Sequence, residues 1–490
     1  MEAPAWTAHP QARREARRAG SLVSFLATES LSIVVCCVLA VFAVVLLPQL
    51  LSTDGWLALV SGRLIVDHGL PYHDTLTVIG HGRSWVDQQW LGQVGFYGLD
   101  ALGGVRLVLA ANLVLVLGAF VAAVVYARKR GGAPTTVALV ALLALLPFLV
   151  TGIFARPQSF AYLPFVALVA LLSSRERISI QRVVLIVALL VVWANVHGSV
   201  LLAVPLVALR GALDLRESRR LGTIDRSAVA LLFVPWPCLI ASPYTFRLIA
   251  YYAKTAFNPS FATYLSYWAP TTFSPISLPL LVLLFASIWL LGRVGDVYSP
   301  FERWLLVFGA VVGLLAVRNW TFAVLLAVML VPVGLDRARK RPPRAAPWFG
   351  APIAAVFVVA TAIAIVASLA KADSKVAQNF PPAAGVVVAH AAAAPDAQIY
   401  AGIKFADWLM WAHPGLEGKL VLDARYELLT GAEVKRLVLF SLGTGVDTPL
   451  GRPTVYVLDP GTEDHTIAAL RRHVRVLYET DHVFVAVARS

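Results

Sequence analysis

Long apolar runs separated by short polar turns fill the chain up to about residue 370. A helix needs roughly 17–25 apolar residues to cross the hydrocarbon core of a bilayer. The pattern predicts spans near 28–50, 105–126, 135–152, 157–172, 183–195, 198–210, 228–242, 275–292, 302–317, 320–335 and 349–370, about eleven transmembrane helices. From residue 371 the long runs stop. Short β-like stretches at Gln398–Gly402, Lys419–Asp423, Thr454–Asp459, Val474–Glu479 and Val483–Val487 alternate with helical periodicity at 404–412, 427–441 and 464–473. That alternation reads as a small α/β domain ending in a hairpin across Glu479–His482.

Charge along the turns sets the expected orientation. With residues 1–27 inside, the inner loops are 127–134, 173–182, 211–227, 293–301 and 336–348, most of them arginine-rich, as the positive-inside rule requires. The basic stretch Arg13-Arg14-Glu15-Ala16-Arg17-Arg18 precedes an apolar run too long for a signal peptide, so that run is expected to stay as the first span. Segment 183–210 reads as two short helices meeting at Asn195-Val196-His197-Gly198, because one long helix would put the arginines of 211–227 outside. The cluster Arg341-Pro342-Pro343-Arg344 reads as an inner connector. The expected organisation is a cytoplasmic segment 1–27, a transmembrane domain 28–370 with outer loops 52–104 and 243–274, and an extracytoplasmic α/β domain 371–490.

Composition agrees with the pattern. Of 490 residues 59% are apolar and 14% charged, against about 25% charged in a soluble domain, which excludes an ordinary cytosolic protein. The net charge of +13 sits mainly in short loops, so it points to the inner membrane face and not to nucleic acid. Cys36, Cys37 and Cys238 each lie in an apolar run, which leaves neither a disulfide framework nor a Cys-based zinc site.

Polar residues at the membrane edge are expensive and mark function. Loop 52–104 opens with Ser52-Thr53-Asp54-Gly55-Trp56 and carries His73, Asp74, Trp85, Asp87 and Gln89. Hairpin tips add Arg156-Pro157-Gln158, Asn195, His197 and Arg318-Asn319-Trp320. The paired spans are short, and a 16-residue helix covers only about 24 Å of a core about 30 Å thick, so their tips should lie below the outer surface. Arg156, His197 and Arg318 facing Asp54 would line a hollow suited to a lipid phosphate, with Arg247 and Lys254 of segment 243–274 as further cations. Trp56, Trp85, Gln89 and Tyr264 are candidates for sugar or acceptor contact, and His73, Asp74 and Asp87 for a second acidic or metal position. Each has a plainer alternative. Asp54 suits a helix cap, Asp74 and Asp87 suit turns, His197 suits a backbone bond in a tight turn, and arginines near helix ends snorkel.

The stretches Asp54-Gly-Trp56 with Gly62-Arg63, Pro71 with Asp74-Thr75, Trp85-Val86-Asp87-Gln88-Gln89-Trp90-Leu91, Arg156-Pro157-Gln158 and Trp193-Ala194-Asn195-Val196-His197-Gly198 resemble a group of bacterial multi-span proteins with GT-C-like glycosyltransferase architecture. Asp423-Ala424-Arg425-Tyr426-Glu427 is similar to the Asp-x-Arg segment of that group's outer domain.

The resemblance implies a polytopic α-helical, GT-C-like enzyme of the bacterial plasma membrane. Such an enzyme takes sugar from a polyprenyl-phosphate donor to a glycan, lipid or protein acceptor on the outer face. The acid after the first span serves such proteins as general base or metal ligand, a position matching Asp54, with a divalent cation (Mg or Mn) as the implied cofactor. The chain departs from the group at Ala58, where a His one turn after the Asp is common. Two other classes fit the pattern: a lipid-linked-sugar flippase, and a catalytically silent relative binding glycan or protein through its outer domain. Few ionisable residues lie at mid-depth, which counts against a translocation path.

Overall fold

The computed structural model describes residues 10–256, 258–339, 350–444 and 450–489, with side chains from residue 22 onward except that of residue 256. The side chains of Arg13 to Arg18 and the whole Arg341–Arg344 connector lie outside the described residues.

Helices occupy Pro10–Val45, Trp90–Lys129, Pro134–Gly152, Ser159–Leu172, Ile180–Val196, Val200–Arg220, Leu278–Val294, Pro300–Leu315, Trp320–Arg339 and Ala351–Ala370. Among the described residues, six are long and apolar enough to cross a membrane, and the chain is a multi-pass membrane protein. Local chemistry marks several starts. Ser179 accepts the Arg182 N–H, and Ser299 with Glu302 forms a reciprocal capping box ahead of Pro300–Leu315. Trp320–Arg339 is buried along almost its whole length and forms the centre of the bundle. Ala351–Ala370 is the opposite case, only 11% buried, with Val356, Ile363 and Val366 turned outward as lipid requires.

One expected span is made of two short pieces. Residues 228–242 form Arg226–Phe233 and Pro235–Cys238, joined through Val234, whose backbone stays helical at φ −67° and ψ −27°. Pro235 and Pro237 have no backbone N–H to donate, so the hydrogen-bond ladder is interrupted there.

The C-terminal residues build a four-stranded sheet of β1 (Ile399–Ala401), β2 (Val455–Leu458), β3 (Val474–Glu479) and β4 (Phe484–Ala488) in the order β1-β2-β4-β3. β1 runs parallel to β2, while β2–β4 and β4–β3 are antiparallel, the last pair being the expected hairpin. Lys419–Asp423 differs from expectation. It contributes only isolated bridges, from Leu420 to Ile399 on one side and to Thr77 on the other.

That exception joins two parts of the sequence. The Val78 N–H donates to the Leu420 carbonyl at 2.7 Å and the Ile79 N–H to Val421 at 3.1 Å, so segment 69–89 pairs with the sheet's edge region. Arg63, on the helix Thr53–His68, donates to the carbonyls of Met410 (2.7 Å) and Trp411 (3.1 Å), pairs with Glu417 (2.8 Å) and stacks on Trp411. It thereby caps the end of the helix Ile403–Ala412 and fastens it to the helix that begins beside Asp54.

Candidate active site

The site forms where the ends of several helices meet the 52–93 segment. The Ala155 N–H donates to the Leu50 carbonyl at 2.7 Å, tying the turn after Pro134–Gly152 to the residues just before Asp54. Trp90 Nε1 donates to Asn195 Oδ1 at 2.8 Å, and the Asn195 amide donates to the carbonyls of Val191 and Ala241, which draws in the 193–199 turn. The Arg318 N–H donates to the Tyr267 carbonyl at 2.9 Å, which brings in the third tip.

Asp54 lies in the first turn of Thr53–His68, where the helix's positive end favours an anion. Its carboxylate is half exposed, and Oδ2 is 3.9 Å from Arg156 Nη1. Arg156 is 8% exposed, donates from Nη2 to the Thr151 carbonyl, stands over the Tyr267 ring, and has no partner for Nε. Arg318 stacks 3.9 Å from the Trp268 ring centre, within electrostatic reach of Arg156 and Asp54. His197 is buried, and its Nδ1 accepts the Ser199 N–H at 3.0 Å with Ser199 Oγ at 2.9 Å. The turn bond expected of such a His is therefore present. It also fixes the neutral ring's N–H at Nε2, and the charges of Arg318 and Arg156 both reach this ring. Arg156 and Arg318 come together beside Asp54, with His197 in electrostatic reach of both arginines, whereas Arg247 stacks on Tyr72 and Lys254 Nζ donates to the Glu427 carbonyl at 2.7 Å.

Several expected side chains stand elsewhere. Asp74 is fully buried and already engaged: it accepts from the Leu76 and Thr77 amides and the Thr77 hydroxyl, and pairs with Arg425 at 2.6 Å. It is a turn former and buried ion-pair partner, with no free oxygen facing the hollow. Trp56 and Trp85 correct the sugar-contact expectation. Each is 2% exposed, Trp56 edge-on to Phe380 and Trp85 beneath the Arg425 guanidinium, so neither shows a ring face. Tyr264 is half-buried against an apolar cluster that includes Phe261, Tyr400, Leu429 and Phe440. His73 is exposed and forms only a backbone bridge to Ser84. Gln89 is half-buried and immediately precedes the helix Trp90–Lys129.

The residues do not fit a divalent cation. Asp54 faces the Arg156 guanidinium, Ala58 occupies the next turn of its helix, and among the described residues no group of three or more His, Cys, Asp and Glu is arranged to hold a metal.

Further acidic groups lie near this site, two of them, Asp407 and Glu427, in electrostatic reach of Asp54. Burial pushes the Asp87 and Glu427 carboxyls up to about 7 each. Asp407 is fully buried, with neither oxygen hydrogen-bonded to a side chain, and burial together with nearby Asp423 holds it well above the usual carboxylate range. The charge of Asp54 reaches both Asp407 and Glu427. Sequence reading missed Asp407, although an acid inside the apolar run Phe405-Ala406-Asp407-Trp408-Leu409-Met410 was a usable signal. Glu427 was visible only as the end of the Asp-x-Arg stretch.

Compared with solved structures, the chain is similar over 92% of its length to 97% of ArnT from Cupriavidus metallidurans in the apo state, at 16% identity and a TM-score of 0.49. The same protein bound to undecaprenyl phosphate gives a TM-score of 0.44 at 16% identity, over 92% of this chain and 97% of that one. An Archaeoglobus fulgidus oligosaccharyltransferase tethered to an acceptor peptide containing the NVT sequon gives 0.45 at 11% identity, over 93% of this chain and 74% of that one. No protein-family model matches the chain, and no curated protein matches it.

Proposed function

We propose that the chain is a GT-C-like membrane glycosyltransferase that moves a sugar from a polyprenyl-phosphate donor to an acceptor hydroxyl at the extracytoplasmic face. The observation that carries this reading is the half-exposed Asp54 carboxylate 3.9 Å from the buried Arg156, with Arg318 and His197 in the same hollow. One carboxylate able to take a proton and two fork-shaped cations able to hold a phosphate are the groups this transfer needs.

In the proposed reaction Asp54 accepts the proton of the acceptor hydroxyl as its oxygen attacks the anomeric carbon. The bond from that carbon to the donor's phosphate oxygen breaks, and the electron pair leaves with the phosphate. Arg156 and Arg318 stabilise the charge gathering there, and His197 offers a neutral Nε2–H to a phosphate oxygen. One displacement of this kind inverts the anomeric centre. The flanking Tyr267 and Trp268 rings limit access of water to the guanidinium groups, which strengthens their hold on an anion. The arginine-rich loops at the far end support placing that end in the cytoplasm of a bacterium, and the hollow and C-terminal residues outside.

Full-length protein reconstituted with a polyprenyl-phosphate sugar tests this. Asp54→Asn should lower transfer about 10²–10⁴-fold while donor binding persists, the range expected for loss of a general base. Unchanged transfer by both Asp54→Asn and Asp54→Ala would sink the assignment.

A further inference from the structure

A second basic site lies at the other end of the bundle. The helix Val200–Arg220 starts beside His197 and runs 21 residues, so its last turns stand about 30 Å from the hollow, roughly one hydrocarbon thickness away. There an open groove of about 540 Å³ is lined by Ala212, Leu215, Arg216, Arg219, Arg220 and Leu232.

The groove follows from the sequence. Ala212, Arg216, Arg219 and Arg220 are spaced to share one helix face. Gly211 lets the neighbouring helix Arg226–Phe233 approach: a Cβ there would fall 2.5 Å from the Leu232 amide nitrogen. Beside this close contact the groove has apolar walls from Leu215 and Leu232 and a cationic rim.

The rim carries charge the protein leaves unmatched. Arg220 meets Glu217 only at 4.0 Å, and among the described residues neither Arg216 nor Arg219 has an acidic partner within that distance. Arg210, one turn earlier, shows the contrast, since it is buried, paired with Asp214 at 2.8 Å and bonded to the Ser174 carbonyl. Beside the groove, Leu221, Ile224 and Phe233 are each at least 60% exposed, an apolar margin at the depth where acyl chains begin.

We propose that this groove binds an anionic phospholipid of the adjoining leaflet, its phosphate held by Arg216, Arg219 and Arg220 and its upper acyl chain lying over Leu215 and Leu232. Charge complementarity selects the lipid: two guanidinium groups with no ion-pair partner among the described residues, and a third, Arg220, that meets Glu217 only at 4.0 Å, favour a headgroup with net negative charge over a zwitterion. The apolar walls select a lipid over a soluble phosphate. The site is independent of sugar transfer.

Native mass spectrometry of the full-length protein in detergent, titrated separately with phosphatidylglycerol, phosphatidylcholine and inorganic phosphate, tests it. Phosphatidylglycerol should bind about tenfold or more tightly than phosphatidylcholine, and inorganic phosphate should not compete at equal concentration. Each arginine replaced by Ala should weaken phosphatidylglycerol binding about fivefold, and the triple Lys variant should restore part of it. These arginines are exposed, so the variants should melt like the wild type in phosphatidylcholine alone, a control for folding. Equal binding of both lipids, anionic binding unaffected by the Ala variants, or full competition by inorganic phosphate would each overturn the proposal.

Discussion

Asp54 and Arg156 face each other at 3.9 Å because Asp54 immediately precedes Gly55 and Arg156 immediately follows Ala155, and those two meet in a close backbone contact. Gly55 packs so tightly on the Ala155 carbonyl that a Cβ would lie 2.6 Å from its oxygen, while Ala155 N–H is bonded to Leu50. Thus two residues about a hundred positions apart in sequence are set by backbone, which side-chain motion cannot easily relax.

Gly55→Ala should therefore act at a distance from the reacting atoms. The added methyl must push the helix Thr53–His68 off the 155–156 turn, costing about 1–3 kcal/mol of stability. Thermal unfolding with donor titration checks this. The expected outcome is a lower melting temperature and weaker activity together, and a variant with both unchanged would mean the contact is slack.

Arg156→Ala should weaken polyprenyl-phosphate binding about tenfold to a hundredfold, the range for losing a charge-assisted hydrogen bond of about 1.5–3 kcal/mol. Arg156→Lys should recover only part, because an ammonium cannot hold both the Thr151 carbonyl and a phosphate with a planar fork. Quenching of intrinsic tryptophan fluorescence by the lipid measures both.

Arg425 joins Asp74 at 2.6 Å and Asp423 at 2.5 Å, all three at most 3% exposed. Arg425→Met strands two buried carboxylates and should cost about 3–5 kcal/mol in chemical unfolding. Adding Asp74→Asn and Asp423→Asn should return part of that loss, because the stranded charges are then gone. A fully additive triple variant would show that the three side chains do not act as a unit.

Stability should fall as pH rises from about 4 to about 7. Burial raises Asp87 and Glu427 to about 7, so across that window the folded protein keeps protons that the unfolded chain has released. Their contribution is fully present below the ordinary carboxylate range and lost as pH passes about 7. Asp87→Asn should flatten the melting temperature against pH in this window, and an unaltered slope would rule Asp87 out as its source. Glu433 has the opposite sign. Its bond with Arg83 lowers it to about 2, so its contribution is present above about 4.5 and is lost as pH falls through about 2.

Much of the fold was legible because hydropathy is local. The runs at 135–152, 320–335 and 349–370 became helices with nearly those bounds, since a backbone that must satisfy its own hydrogen bonds in hydrocarbon has few alternatives. Hydropathy alone did not show that the ladder of 228–242 is interrupted, because it ignores the missing N–H groups of Pro235 and Pro237. The tip residues Arg156, His197 and Arg318 were legible as a set because short paired spans fix which end of the bundle a turn occupies.

The sequence by itself determined which segments are apolar helices, which turns carry charge, and that Asp54, Arg156, His197 and Arg318 share one end of the bundle. Tertiary structure alone decided that Asp54 meets Arg156 while Asp74 is taken by Arg425, and that Trp85 is the floor under that arginine. It also decided that Asp407 and Glu427, more than 350 residues along the chain, lie in electrostatic reach of Asp54. Span length and charge bias follow from each residue's own transfer energy between water and lipid. Pairing depends on how Arg63 and the Val78–Leu420 contact seat one segment against another, which no local window contains.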